Sequence, residues 1–230
     1  MQRLARRKTF IIYDIIAKAK KEVNKDTSYL DLLFRIHGLT SIHDLDSSIR
    51  IDLRYADTNN FLRRNLYDGL RKAYFPCEVA LKICNAQALL KMYDPDYSLL
   101  ILDATRPLHI QQMMWDSLDL PPDQKYNYLA PPYTISLHNY GCAVDVTIVD
   151  TRTNKELEMG SDFDHFGKLS EPVYEWKFLK SGELSGEALE NRKLLRKVMQ
   201  AAKLNPITSE WWHFNYCTKE FAAANFTLIK

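Results

Sequence analysis

Four side chains in two short stretches have the types and spacing that metal-assisted hydrolysis requires. The first stretch is Ser136-Leu-His138-Asn-Tyr-Gly141-Cys-Ala143-Val-Asp145, and the second, about 65 residues later, is Glu210-Trp-Trp-His213. Zinc prefers tetrahedral nitrogen, oxygen or sulfur ligation, and a hydrolytic site keeps one position open for water. Two imidazoles and two carboxylates meet that need, because three side chains can hold the ion while the fourth handles protons. Each stretch alone is a modest signal. In this order and at this spacing they point to zinc peptidase chemistry.

The elements that must position these groups can be read from the neighbouring residues. Ala143–Val149 (Ala-Val-Asp-Val-Thr-Ile-Val) reads as a strand, with Val144, Val146 and Ile148 on one side and Asp145 and Thr147 on the other. A carboxylate in such an apolar strand is costly to bury unless it is paired or ligates a metal. His138 and Asp145 are seven residues apart, so one turn and the start of a strand can bring both to a single ion. Gly141 between them permits a backbone conformation closed to other residues, and small Ala143 leaves room for close packing. Glu210 and His213 are three apart, which in a regular strand places them on opposite faces, so a twist or bulge is needed if both serve one site. The plainer alternative is a core strand end built from Trp211, Trp212 and Phe214, with Glu210 and His213 at its rim.

Around these motifs helical and strand patterns alternate. Val79, Ile83, Ala86 and Leu90 form one face of a helix that follows Pro76 and ends near Asp94-Pro95. Leu99–Leu102 suits a buried strand leading into a turn at Asp103–Pro107, and Pro107 starts a helix through Trp115. Leu118–Pro132, rich in proline, asparagine and tyrosine, reads as a loop beside the metal motif. Ala188, Leu195, Val198, Met199 and Ala202 mark a late helix broken before Asn205-Pro206, and Ile207–Tyr216 reads as a final strand.

The chain of 230 residues is 46% hydrophobic, enough to bury a sizeable core, and its net charge of +2 is nearly balanced. Nucleic-acid binding gets no support, since the basic runs Arg6-Arg7-Lys8 and Lys18–Lys21 are short and read as the solvated face of a helix. Cys77, Cys84, Cys142 and Cys217 have neither zinc-finger spacing nor the density of a disulfide scaffold. The basic Met1–Lys8 followed by apolar Phe10–Ala17 superficially suggests a signal peptide. Asp14 interrupts the apolar run, however, and no small-x-small cleavage site follows. Ile12, Ile15, Ile16, Ala19 and Val23 recur at helical spacing instead, so an amphipathic helix is expected. No stretch is long enough to span a membrane. A cytoplasmic protein is expected, or a periplasmic one if a native leader has been removed.

The two metal motifs together resemble those of the D-alanyl-D-alanine dipeptidases, a branch of the zinc D,D-peptidases. That family carries Ser-x-His-x-x-Gly-x-Ala-x-Asp and Glu-x-x-His, and both are matched in full. Arg54-Tyr55-Ala56 with Asn60-Phe61, Asp103-Ala-Thr-Arg106-Pro107, and Met159-Gly160-Ser161-Asp-Phe163-Asp164 resemble weaker landmarks in the same order. The resemblance covers about residues 46–217. Thr105 stands where the family often has an aromatic, and the first 45 residues find no counterpart.

The resemblance implies an α+β fold with a mostly antiparallel central sheet flanked by helices. It also implies a catalytic domain over residues 46–230, preceded by a helical extension over residues 1–45. His138, Asp145 and His213 would hold one zinc per chain, Glu210 would act as general base, and Arg106 would stabilise the oxyanion. Asp164 and Tyr55 would bind the ammonium of a small D,D-dipeptide, and Ser136 its carboxylate. Read alone, Arg106 is as readily a salt bridge to Asp103, Asp164 a loop-capping residue and Tyr55 a packing residue. His165 reads as a loop histidine near the motif, while His37, His43 and His109 lack partner spacing. The expected reaction is hydrolysis of D-Ala-D-Ala to free D-Ala. A D,D-carboxypeptidase acting on peptidoglycan stems, or a silent zinc-binding module, are the rival readings. Retention of both Glu210 and Arg106 argues against the silent module.

Overall fold

The computed structural model describes residues 28–121, 125 and 129–230. The expected amphipathic helix near the N-terminus and part of the loop Leu118–Pro132 lie outside the described residues. Strand β5 (Ala143–Asp150) is the centre of the fold, and seven of its eight residues are buried. It pairs antiparallel along one edge with β4 (Tyr97–Asp103). Its other edge is shared by β8 (His213–Asn215) at the start and the short β6 (Lys155–Glu156) at the end, both antiparallel. β2 (Arg50–Ile51) joins β4 in parallel, and β7 (Asn205–Pro206) closes the far side against β8. The order is therefore β2-β4-β5-β8-β7, in which only the β2–β4 pair is parallel. A separate two-stranded ribbon pairs β1 (Thr40–Ser41) with β3 (Tyr74–Phe75).

The period-two pattern of β4 and β5 divides the sheet into a packing face and a chemical face. Ile101 pairs with Val146 and Leu99 with Ile148, so these apolar side chains share one face. Helix α2 (Cys77–Tyr93) and helix α5 (Gly186–Ala201) pack on the sheet and on each other. α2 contributes Val79, Ile83, Ala86 and Leu90 at helical spacing, and all four are fully buried. α5 starts at Ser185, whose hydroxyl accepts from the Ala188 amide at 3.0 Å. The remaining helices are α1 (Tyr29–Ile36), α3 (Leu108–Ser117), α4 (Glu175–Ser181) and α6 (Lys219–Asn225). α1 is closed by a Ser28/Asp31 capping box, and its Leu30, Leu33 and Phe34 join the same buried cluster as the sheet. No described helix is long and apolar enough to cross a membrane.

One expectation needs correction. Ile207–Tyr216 is not a single strand but the loop and second arm of a hairpin, with Asn205 opposite Asn215 and Pro206 opposite Phe214. Trp211 and Trp212 are consecutive and both only 3% exposed, which a one-sided strand cannot achieve. Trp211 turns to the Ser161 hydroxyl and Trp212 stacks edge-on with Phe163 at 5.3 Å. The apolar content suggested a strand, but the two rings pack edge-on against each other at 5.3 Å and against the segment that carries Ser161 and Phe163. Glu210 therefore sits on that loop, and no bulge is needed to bring it near His213.

Candidate active site

The other face of the sheet gathers the sequence-predicted groups. Asp145 lies directly opposite His213 across the β5–β8 pair, so both side chains leave the same face. Between Ile101 and Asp103 the β4–β5 register shifts, which brings Asp103 opposite Asp145 as well. His138 comes from a tight turn, Leu137–Tyr140, that begins at Ser136 and ends at Gly141. The Ser136 hydroxyl accepts from the His138 amide at 3.3 Å, and the Asn139 side chain accepts from the Ser136 amide at 2.7 Å. Gly141 has φ +67°, and a Cβ there would lie 2.6 Å from Thr105 Oγ1 and 2.7 Å from Pro76 Cδ. Only glycine fits. Thr105 gives its hydroxyl to the Tyr74 carbonyl at 2.6 Å, so it braces this turn and does not shape the cavity.

The three candidate ligand atoms converge. His213 Nδ1 is 2.9 Å from Asp145 Oδ1, His138 Nε2 is 3.2 Å from His213 Nδ1, and His138 Nε2 is 3.4 Å from Asp145 Oδ1. Ligands at the corners of a tetrahedron with bonds of about 2.0–2.1 Å lie about 3.3 Å apart, so the trio fits a zinc ion. Ring orientation agrees. His138 Nδ1 donates to the Ala104 carbonyl at 2.7 Å, and His213 Nε2 donates to Asn215 Oδ1 at 2.8 Å. Each ring thus spends one N–H outward and aims its other nitrogen at the shared point, the arrangement metal-binding imidazoles use. Among the described residues this is the group suited to a metal. His165 is not in it, and His43 instead meets the Ile49 carbonyl.

Electrostatics match the geometry. Burial alone would raise the carboxyl pKa of Asp145, but His138 and His213 overcome it and hold the group well below the usual carboxylate range. Burial pushes His213 down, yet its bond to Asp145 wins and raises it to about 9. Glu210 Oε2 is 3.9 Å from His213 Nδ1, and 39% of its side chain stays exposed. Its partly walled-in position raises its pKa, with His213 opposing.

Arg106 pairs with Asp103 and also lines the cavity beside the trio. Its Nε and Nη2 donate to Asp103 Oδ2 at 2.9 and 2.5 Å, and Nη1 donates to Gln111 Oε1 at 2.8 Å. Tyr67 donates to the other Asp103 oxygen at 2.5 Å. The clamped guanidinium is 6% exposed, lies 4.0 Å from Asp145 Oδ2 and faces the Tyr55 ring at 5.2 Å. Tyr67 and Gln111 were not singled out by sequence. Neither has a spacing signal, because the contacts span 36 and five residues.

Tyr55 and Asp164 meet across 109 residues, with the Tyr55 hydroxyl donating to Asp164 Oδ2 at 2.8 Å. Asp164 reaches across the cavity instead of capping its own loop. Burial raises its pKa well above that of an ordinary carboxyl, with Tyr55 opposing. Tyr55, Arg106, Ser136, Asp164 and Glu210 line one cavity of about 260 Å³ with the His/Asp trio. That volume is below the roughly 300–1,000 Å³ of drug-sized ligand sites. A larger groove of about 830 Å³ adjoins it at Phe61 and Asp164 but holds none of the three candidate ligands.

The chain is similar in sequence to known proteins. The chain is 29% identical over 171 residues to a D-alanyl-D-alanine dipeptidase of Escherichia coli (strain K12), covering 72% of this chain and 78% of that protein. It is 26% identical over 177 residues to one from Synechocystis, covering 65% and 71% of the two chains. With a third, from Enterococcus faecalis, it shares 24% over 203 residues, covering 83% and 96%. The peptidase family M15 model, described as D-Ala-D-Ala dipeptidase, matches residues 35–229. With most of its length inside that match, the chain belongs to the D-Ala-D-Ala dipeptidase family of metallopeptidases.

Proposed function

We propose that this protein hydrolyses D-Ala-D-Ala to free D-Ala with one zinc held by His138 Nε2, Asp145 Oδ1 and His213 Nδ1. The observation that carries the reading is the convergence of those three atoms, at 2.9–3.4 Å spacing, on the wall of a cavity small enough for a dipeptide. Bound zinc would supply Lewis acidity that lowers the pKa of water from 15.7 toward about 7. Glu210 takes the water's proton and later delivers it to the leaving amine, and its raised pKa suits a group that must exchange protons near neutrality. Arg106, already immobilised by Asp103 and Gln111, meets the developing oxyanion without reorganising, a contribution of about 3 kcal/mol for a donor of this kind.

Substrate ends are matched by the two sides of the cavity. The Asp164 carboxylate, oriented by Tyr55, accepts the free ammonium, and Ser136 helps hold the carboxylate at the other end. A dipeptide with both ends free fills these demands, whereas an acylated amine offers Asp164 no cation to pair with. The groove beside Asp164 and Phe61 supports a second reading, a D,D-carboxypeptidase that extends a longer peptide into it. The two are separated by offering zinc-loaded protein D-Ala-D-Ala beside N-acetyl-D-Ala-D-Ala and an acylated tripeptide ending in D-Ala-D-Ala. Blocking a desolvated charge pair costs about 2–5 kcal/mol, so the free dipeptide is expected to be cleaved tens to thousands of times more efficiently. Equal cleavage of blocked and free forms would transfer the assignment to the carboxypeptidase.

A further inference from the structure

The apolar stripe of α5 is interrupted by a charge. Between buried Ala188 and Leu195 the inward position is Arg192, which is 1% exposed. A buried guanidinium must find acceptors for a fixed fork of five N–H groups. Arg192 finds them on one loop. Its Nε donates to the Met159 carbonyl at 2.6 Å, Nη1 to the Leu169 carbonyl at 3.0 Å, and Nη2 to Ser161 Oγ at 3.3 Å. Met159 and Leu169 are the two ends of the segment whose middle carries Asp164, a non-glycine residue at φ +58°. One side chain therefore ties down both ends of the loop that presents the carboxylate. Gly160 seats it further, since at φ +80° its missing Cβ would lie 2.1 Å from Leu184 Cδ1.

Ser161 Oγ has a second partner. The indole N–H of Trp211 donates to it at 2.9 Å. A hydroxyl has two lone pairs, and here both accept, one from Arg192 and one from the residue next to Glu210. The Arg192 guanidinium also lies 5.7 Å from the centre of the Trp211 ring. Arg192 is held in turn by Glu175 at 3.6 Å, whose carboxylate is gripped by both terminal nitrogens of Arg196 at 2.7 Å.

We propose that Arg192, Ser161 and Trp211 form a brace that sets the Asp164 loop against the Glu210 loop, making them positioning residues for recognition of the substrate's free amine. The proposal rests on the reading of Asp164 as the ammonium anchor. Ser161 and Trp211 line the adjoining larger groove, but the brace touches neither the candidate metal ligands nor the smaller cavity proposed for the dipeptide, so it acts on dipeptide recognition through the two loops.

The test uses the zinc-loaded full chain and the variants Ser161→Ala, Ser161→Thr and Trp211→Phe. Ser161→Thr keeps the accepting oxygen, and Trp211→Phe keeps the ring but loses the N–H. For Ser161→Ala and Trp211→Phe we expect unchanged zinc content and a roughly tenfold rise in KM for D-Ala-D-Ala, larger than any fall in kcat. That split is the signature of a lost binding interaction. Amide hydrogen exchange should accelerate in residues 158–170 and 207–212 but not in α2, and Ser161→Thr should restore both readouts. An unchanged KM in Ser161→Ala, or a loss that Ser161→Thr does not restore, overturns the proposal. Asp164→Asn checks the underlying reading separately. If its KM is unchanged, Asp164 is not the anchor, and amide exchange in Ser161→Ala alone then decides whether the brace exists.

Discussion

At the scale of single residues, the chemistry depends on which atom of each side chain faces the shared point. His138 and His213 each turn one nitrogen inward because carbonyl oxygens take their outer N–H groups, whereas Glu210 stands 3.9 Å from His213 Nδ1. His138→Ala and His213→Ala should each lose most of the bound zinc by elemental analysis. Glu210→Gln should keep about one zinc per chain while kcat falls by about 10²–10⁴, the usual worth of a general base. Loss of metal in Glu210→Gln would place that residue among the ligands instead. Asp164 adds a pH signature. Burial raises its pKa, so in the free enzyme it holds its proton to a higher pH than an ordinary carboxyl, and binding an ammonium requires losing it. KM for D-Ala-D-Ala should therefore fall as pH rises through that raised value. It should rise again near pH 8, where an α-amino group loses its own proton. In Asp164→Asn the acid limb should flatten, as a KM–pH series would show.

At the scale of elements, the site depends on a junction between the His138 turn and the strand end that carries Arg106. The Arg106 amide donates to the His138 carbonyl at 3.0 Å, and the Asn139 side chain donates to the Arg106 carbonyl at 2.8 Å. Gly141 lets the turn close onto Thr105 and Pro76. Gly141→Ala meets both a left-handed backbone and a side-chain overlap. A destabilisation of about 2–4 kcal/mol is expected, with weakened zinc retention because His138 moves with the turn. Thermal unfolding with parallel metal analysis measures both. An unaltered melting temperature would mean that the turn opens without cost.

For the molecule as a whole, the candidate metal site is built on one face of a sheet whose other face already carries the core. Fully buried Val144, Val146, Ile148, Leu99 and Ile101 pack there with α2 and α5. Without a metal, the bond to Asp145 raises the pKa of His213 to about 9, so its Nδ1 carries a proton that neutralises the buried carboxylate and that a metal would displace. Removing zinc with a chelator should thus leave the far-UV circular dichroism intact while lowering Tm. Added zinc should restore Tm in a concentration-dependent way, with about 4 kcal/mol of stabilisation at a thousand times Kd. Unfolding on chelation would show that the trio holds the sheet together and not merely the ion.

From the sequence alone came the candidate ligands, the strand that carries Asp145, the helices after Pro76 and before Asn205, and the need for glycine at 141. These follow from local periodicity and from backbone conformations that only certain residues adopt, so a short window of sequence contains them. Ile207–Tyr216 misled for the same reason. Its aromatic content matched a strand, but the two tryptophans are buried by different partners, Ser161 and Phe163, about 50 residues away. The tertiary structure alone decided the rest: the His138 nitrogen that faces the candidate metal point, the Tyr67 bond that fixes the Asp103–Arg106 pair, the meeting of Tyr55 with Asp164, and the inward Arg192. Each of these depends on a hydrogen bond whose partner is set by the packing of remote segments. A donor's residue type says that it must be satisfied, but only the folded chain decides by whom.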